Sequence, residues 1–297
     1  MTDFSQRRAG LLFGAFTADA LSLGVHWIYD AKEIEQTHGP VTGFVAPGKD
    51  SYHPNKQAGD QGHVGDQTLW LADFLVREGK WNASHFMDEW VSRWVAYDDY
   101  VDKATKTTLH NIESGMSADD AASNSDELAG PARSAPLIAF LANSSEYEIV
   151  RSVVEQNNLT HRSAAAAEAA AFVARAGYRL LNGAPLAESL RETAPAWALE
   201  TADGVREMSA VQAIGRLGQS CPVSAALPGV IYLCLKHGED METAFVQNAM
   251  AGGDSCARAL VLGTLLGARH GLEAINESWR RDLRSASKLQ ALLDALY

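Results

Sequence analysis

Three aspartates stand among small residues, where a carboxylate can reach backbone or ligand without steric obstruction. Asp19 lies in GAFTADALSLGVHWIYD, Asp66 in QGHVGDQTLW and Asp254 in AMAGGDSCARAL. Each has a purely structural use. Gly252-Gly253-Asp254 directly precedes an apolar run and Gly65-Asp66 precedes the pattern starting near Gln67, so either Asp could be a helix N-cap. A helix N-terminus with adjacent glycines is equally an anion or phosphate site, because its free N–H groups point outward. Cys256, in the first turn of the same apolar run, would have a lowered thiol pKa there, or could simply be a small buried residue. These spacings alone name no reaction.

The elements that must carry these residues read as helices. Alanine accounts for 48 of 297 residues, in segments of helical rather than alternating periodicity. Residues 163–181 (SAAAAEAAAFVARAGYRLL) are the clearest, with Asn182-Gly183 as a stop signal. The same pattern predicts helices over residues 5–23, 67–78, 83–98, 103–115, 145–156, 185–193, 204–217, 228–237, 241–250, 255–270 and 285–296. Period-2 alternation is nearly absent, so the expected fold class is all-α, in one domain over residues 1–297. Two stretches break the pattern: residues 40–65, rich in Gly and Pro with two His, and residues 117–136. A connection as long as the first is usually functional or disordered. Ala259, Gly263, Gly267 and Gly271 recur every four residues, bracketed closely by Arg258 and Arg269. That stripe is too short for a membrane dimer face and marks where another core helix comes close.

Charge and composition exclude whole classes of partner. Lys+Arg 25 against Asp+Glu 37 gives a net charge of −12, with pI about 5.2. Nucleic acid and anionic membranes need a basic face and are not expected partners. A hydrophobic content of 46% with seven Trp excludes disorder. Cys221, Cys234 and Cys256 form an odd set without a C-x-x-C pair, which fits neither a disulfide framework nor a structural zinc site. No stretch approaches the uncharged apolar length of a transmembrane helix. A soluble, reduced, cytoplasmic protein is the expectation.

Taken together, the order and context of the acidic blocks resemble the ADP-ribosylglycohydrolase superfamily, whose members hydrolyse the bond between ADP-ribose and a protein side chain or related acceptor. Ala18-Asp19-Ala20-Leu21-Ser22 stands for the family's G-D-A-x-G, Gly65-Asp66-Gln67-Thr68 for T-D-D-T, and Thr160-His161 for its Thr-His pair. Gly252-Gly253-Asp254-Ser255-Cys256-Ala257 stands for G-G-D-T-D-T, followed by the Gly-spaced helix and Trp279. The likeness runs from Arg8 to about Arg280. Within the superfamily the J-crystallin and selenoprotein J branch is most similar, through His26-Trp27-Ile28-Tyr29-Asp30, Gly65-Asp66-Gln67, Gly218-Gln219-Ser220-Cys221-Pro222 and residues 251–258. The resemblance implies a compact orthogonal multi-helix bundle.

The departures from the family pattern bear on mechanism. Active relatives hold two Mg²⁺ or Mn²⁺ ions with the Thr and Asp side chains of those motifs. Only Asp66 and Asp254 keep a carboxylate here; Gly65, Gln67, Cys256 and Ala257 replace the other ligands. Two carboxylates and the Gln67 amide suit one weakly held Mg²⁺ rather than a dinuclear centre, and a Cys256 thiol is a soft ligand that Mg²⁺ disfavours. Seven residues after Asp19, where relatives carry an acid, stands His26, either a core residue or a near-neutral acid–base group. His63, on the long loop, is a second such candidate, and Asp60 could replace a missing ligand. Arg133 matches a family loop and could meet a phosphate or a surface acid. Gly65, Gln67, His63, Gly253, Ser255, Cys256 and Arg133 are therefore candidate substrate-binding residues. Asp66, His26 and Asp19 are candidates for catalysis, and Asp66 and Asp254 for metal. The readings that follow are a hydrolase of an ADP-ribosyl or related N- or O-glycosidic bond, an inactive protein that binds ADP-ribose or an ADP-ribosylated partner, and a crystallin-like structural protein.

Overall fold

The computed structural model describes residues 2–118 and 120–296. In chain order its helices are α1 Phe4–Leu23, α2 Ala31–His38, α3 His63–Glu78, α4 Ala83–Arg93, α5 Lys103–Glu113, α6 Ala129–Ala132, α7 Ala135–Phe140, α8 Glu146–Asn158 and α9 Ala164–Leu181. They continue as α10 Leu186–Thr193, α11 Ala196–Asp203, α12 Ala210–Leu217, α13 Val223–His237, α14 Met241–Met250, α15 Ser255–His270, α16 Glu277–Asp282 and α17 Ala286–Asp294. Among the described residues β-pairing is confined to two isolated bridges, Ser123–His161 and Glu127–Pro222. The all-α expectation holds.

Local chemistry explains most boundaries. Side chains of Asp3, Asn82, Asp102, Ser145, Ser163, Ser209 and Asp240 each accept from a first-turn N–H, satisfying donors that the helix itself cannot. Five short helices (α2, α6, α7, α11 and α16) were not predicted; α6 has four residues and α7 and α16 six each, too short for an apolar period to be read. The predicted helix over 204–217 is shortened to α12, which starts at a Ser209–Gln212 capping box.

The centre of the fold is the antiparallel pair α1 and α15, buried from Arg8 to Leu23 and from Ser255 to Ala268. A Cβ added to Gly263 would sit 2.1 Å from the Gly14 carbonyl oxygen, and one on Gly267 would sit 2.0 Å from that of Gly10. Only glycine permits this approach, as the four-residue stripe suggested. Farther along the same seam, Ser255 Oγ lies 3.4 Å from the Ser22 carbonyl and Cys256 Sγ lies 3.8 Å from that of Asp19. The tightly packed end of the pair thereby fixes the spacing of its polar end.

The long connection between α2 and α3 is tied down at several points. Trp279 Nε1 donates to the Thr42 carbonyl at 3.0 Å and Arg284 N donates to that of Gly59 at 3.1 Å. Val45 packs directly on Gly24, where a Cβ would meet its carbonyl oxygen at 2.5 Å. The loop therefore brings His53 and Lys56 over the ends of α1 and α3. No described helix is long and apolar enough to cross a membrane.

Candidate functional site

The site grows from the polar end of α1. Asp19 is fully buried, and its Oδ2 accepts from Gly62 N at 3.0 Å. The carboxylate thus sits at the N-terminus of α3, the end that attracts negative charge. It fits only because residue 65 is glycine: a Cβ there would fall 2.0 Å from Asp19 Oδ2. Its other oxygen has no partner. Burial raises the Asp19 pKa to about 7, against the opposing effects of Cys256 and Gly62.

Beyond α1 the chain turns sharply. Trp27 has φ +64°, costly for a bulky side chain by about 1–3 kcal/mol. Two reciprocal backbone bonds hold it, Trp27 N to the Gly253 carbonyl and Gly253 N to that of Ile28, both 2.8 Å. Gly253, at φ +69°, packs against Gln219, where a Cβ would meet the carbonyl at 2.3 Å. This clamp presents His26 and Trp27 as stacked rings with centroids 4.1 Å apart.

Three imidazoles meet beneath Trp27. His26, His53 and His63 are all buried, and one ring nitrogen of each lies within 4.8 Å of the others. His26 Nε2, His53 Nε2 and His63 Nδ1 have no hydrogen-bond partner. The opposite nitrogens face carboxylates: His26 Nδ1 is 4.0 Å from Asp254, His53 Nδ1 3.1 Å from Asp99, and His63 Nε2 3.9 Å from Asp102. Burial drives the His26 pKa well below the ordinary histidine value and that of His63 to about 4.

Asp66 lies at the edge of this layer, on the first turn of α3. Its Oδ2 pairs with the Lys56 ammonium and accepts from Tyr97 Oη at 2.7 Å. Burial raises the Asp66 pKa, and Lys56 and Tyr97 work against that rise. Gln67, next along, is fully engaged: its Oε1 accepts from Arg133 Nη1 at 2.6 Å and from Trp90 Nε1 at 2.9 Å. Arg133 also bonds Thr160, within the Thr-His pair. It is buried and meets no surface acid. Asp254 occupies the N-cap position of α15 without a side-chain cap bond, facing His26 instead.

Several expectations need correction. His63, Gly65 and Asp66 belong to α3, whose N-cap is Gly62, so His63 is not on the loop and Asp66 is not a cap. The four residues from 63 lack an apolar period, which hid this extra turn from the sequence. The start of α15 is not an anion site. Gly252, Gly253, Asp254 and Ser255 donate to the carbonyls of Ala249, Ile28, Gln219 and Gly253, and Cys256 N lies 3.4 Å from His26 Nδ1. Ser255 is spent in the seam, its carbonyl accepting from Asn248. Burial pushes the Cys256 thiol pKa up rather than down, against the lowered value expected at the start of a helix. Asp60 accepts from Gln57 N and pairs with Arg284, away from the other carboxylates.

This donor set does not fit Mg²⁺. A hard cation needs converging oxygens, but Asp66 already carries an ammonium ion, the Gln67 oxygen is filled by Arg133 and Trp90, and Cys256 is a buried thiol. The three-residue cluster able to converge on one ion among the described residues is all imidazole. Sequence reasoning missed His53, Lys56, Tyr97, Asp99 and Asp102. The available signal was the acidic run Asp98-Asp99-Tyr100-Val101-Asp102 at the junction of two predicted helices, which lies between α4 and α5.

A cavity of about 430 Å³ opens beside His26, Trp27, Tyr52 and His53, within the size range of small-molecule sites. The all-helical architecture around it is shared: the chain is similar to a solved structure described as an ADP-ribosylglycohydrolase-related protein complex, with TM-score 0.76, 24% identity, and coverage of 100% of this chain and 99% of that one. A family model for ADP-ribosylglycohydrolase matches residues 1–297. The chain belongs to the ADP-ribosylglycohydrolase family. Among curated proteins none gives a significant match.

Proposed function

We propose that the chain hydrolyses an ADP-ribosyl or related N- or O-glycosidic bond, with Asp66 as its base. The observation that carries this reading is the setting of Asp66. Its contacts with Lys56 and Tyr97 both fall on Oδ2, leaving Oδ1 to accept a proton from water. The water oxygen bonds the anomeric carbon as the bond to the acceptor nitrogen or oxygen breaks; the water's proton passes to Asp66, which returns it to the departing nitrogen or oxygen. Asp19, packed against Gly65 immediately behind, holds its proton up to about pH 7 and is the second carboxyl of the pair. His26, kept neutral by burial, lines the wall under Trp27. No step is routed through Mg²⁺.

The finer likeness to the J-crystallin and selenoprotein J branch is supported by how its blocks clamp one another. Gln219 Nε2 donates to the carbonyls of Tyr29 at 3.0 Å and Ala251 at 2.8 Å, and Asp254 N donates to that of Gln219 at 2.7 Å. A second reading, an ADP-ribose-binding protein without turnover, is favoured by one observation: Lys56 neutralises the carboxylate that chemistry would use.

The test is hydrolysis of arginine-, serine- and glutamate-linked ADP-ribosyl peptides by wild type and Asp66→Asn. Turnover by wild type that the variant loses supports the assignment, and equal turnover overturns it. Calorimetric binding of ADP-ribose with no turnover on any linkage establishes the second reading instead.

A further inference from the structure

His26 follows α1, His53 comes from the long loop and His63 opens α3, so three separate segments deliver one imidazole each to the same point. Their side chains are 1%, 2% and 4% exposed. Buried ring nitrogens are expected to find partners, yet His26 Nε2, His53 Nε2 and His63 Nδ1 have none. The remaining nitrogen of each ring faces an acid: Asp254, Asp99 or Asp102. A ring nitrogen of each His within 4.8 Å of the others, with another nitrogen of each ring backed by a carboxylate, is the arrangement that orients imidazoles on a metal.

We propose that His26, His53 and His63 form a mononuclear site for a divalent transition ion of the Zn²⁺ class. Three neutral imidazoles suit Zn²⁺, Co²⁺ or Cu²⁺ and not Mg²⁺ or Ca²⁺. They leave a fourth position for water, as in zinc sites that stay open to exchange. The nitrogens lie within 4.8 Å of one another; Zn–N bonds of about 2.0–2.1 Å require a spacing near 3.3 Å, so binding draws them together. His26 then exchanges its long contact from Cys256 N, 3.4 Å, for donation from Nδ1 to Asp254. Trp27, set edge-on against Tyr52 and Tyr100 at 4.9 and 4.7 Å, forms an aromatic cover over the three rings.

The site stands independently of the hydrolase reading, because its test measures metal alone. Chelator-stripped full-length protein is titrated with Zn²⁺ against a chromophoric chelator, and with Co²⁺ while visible absorption is recorded. The expected result is about one ion per chain, Co²⁺ bands of a nitrogen-rich four- or five-coordinate site without thiolate charge transfer, and no displacement by excess Mg²⁺. Asp99→Asn, which leaves all three ligands in place, should weaken Zn²⁺ binding by about 10–100-fold. His53→Gln should weaken it further, with far-UV circular dichroism confirming that both variants fold. Asp66→Asn should bind Zn²⁺ as wild type does, which separates failure of this site from failure of the proposed base. Wild-type affinity no higher than that of His53→Gln would overturn the site. So would a Co²⁺ spectrum abolished by Cys256→Ser, which would show a thiolate site instead.

Discussion

Helix α1 meets α15 in two different ways along its length. At one end Gly10 and Gly14 lie against Gly267 and Gly263, backbone on backbone, with no side chain between. At the other, Asp19, Ser22 and the following His26 face Cys256, Ser255 and Asp254. The first end is settled by size and leaves no polar group to satisfy. The second leaves an orphaned carboxylate oxygen and a bare imidazole nitrogen in the interior, which folding alone gives no reason to keep. A rigid seam next to under-satisfied polar groups is how a fold holds reactive groups in register.

The sharpest way to break this contrast is to put bulk into the seam. Gly263→Val drives side-chain atoms into the Gly14 carbonyl, already only 2.1 Å from an ideal Cβ. Overpacking of this kind costs about 3 kcal/mol or more when the obstacle is backbone, and urea denaturation should show it. Gly65→Ala is the matched probe at the polar end. There the obstacles are side-chain atoms, Asp19 Oδ2 at 2.0 Å and Gln61 Cβ at 2.7 Å, rather than backbone, so the expected cost in stability is smaller and the displaced carboxylate adds a loss of activity. Equal destabilisation by the two substitutions would erase the distinction.

Asp66→Asn is the next largest effect. It should lower turnover by about 100-fold or more, roughly 2.7 kcal/mol in the barrier, while leaving the thermal midpoint close to wild type. Asp66 lies outside the seam, so a variant that fails to fold would place it with the structural residues instead.

The seam was legible in the sequence and the polar layer only in part. A four-residue stripe of Ala259, Gly263, Gly267 and Gly271 needs one period and one physical idea, and the packing follows. Asp19, Asp66 and Asp254 could be picked out because small residues flank them. Their partners could not. Lys56 reaches Asp66 from the long loop, and Tyr97, Asp99 and Asp102 lie between α4 and α5. None of these is periodic, and loop residues carry no register from which their spatial neighbours can be inferred. The same gap concealed that Gln67 and Arg133 bond each other.

Asp19 allows the contrast to be sharpened by pH. Its pKa rises from 3.8 to about 7 on burial, so between those values the folded protein binds more protons than the unfolded chain, and stability falls as pH rises. The contribution of protonated Asp19 is complete below the lower value and lost as pH passes through the higher one. Asp19→Asn removes the titration. Its stability should vary less than that of wild type from about pH 4 to 7 and exceed it at about pH 8, as read from urea midpoints across that range. A wild-type slope of the opposite sign in this window, unchanged in the variant, would mean that Asp19 stays ionised when buried.

Lys56→Met should have the smallest effect, and it tests the polar end most selectively. Lys56 opposes the burial that raises the Asp66 pKa, so its removal must raise that pKa further. A base is active only when ionised. The acid limb of the pH–rate profile should therefore move to higher pH by about 1 unit, the low end of what a neighbouring opposite charge contributes, while the alkaline plateau changes little. Lys56→Arg keeps the charge and should restore the wild-type limb. A lowered plateau with an unmoved limb would mean that Lys56 acts on substrate directly and that the acid limb belongs to a group other than Asp66.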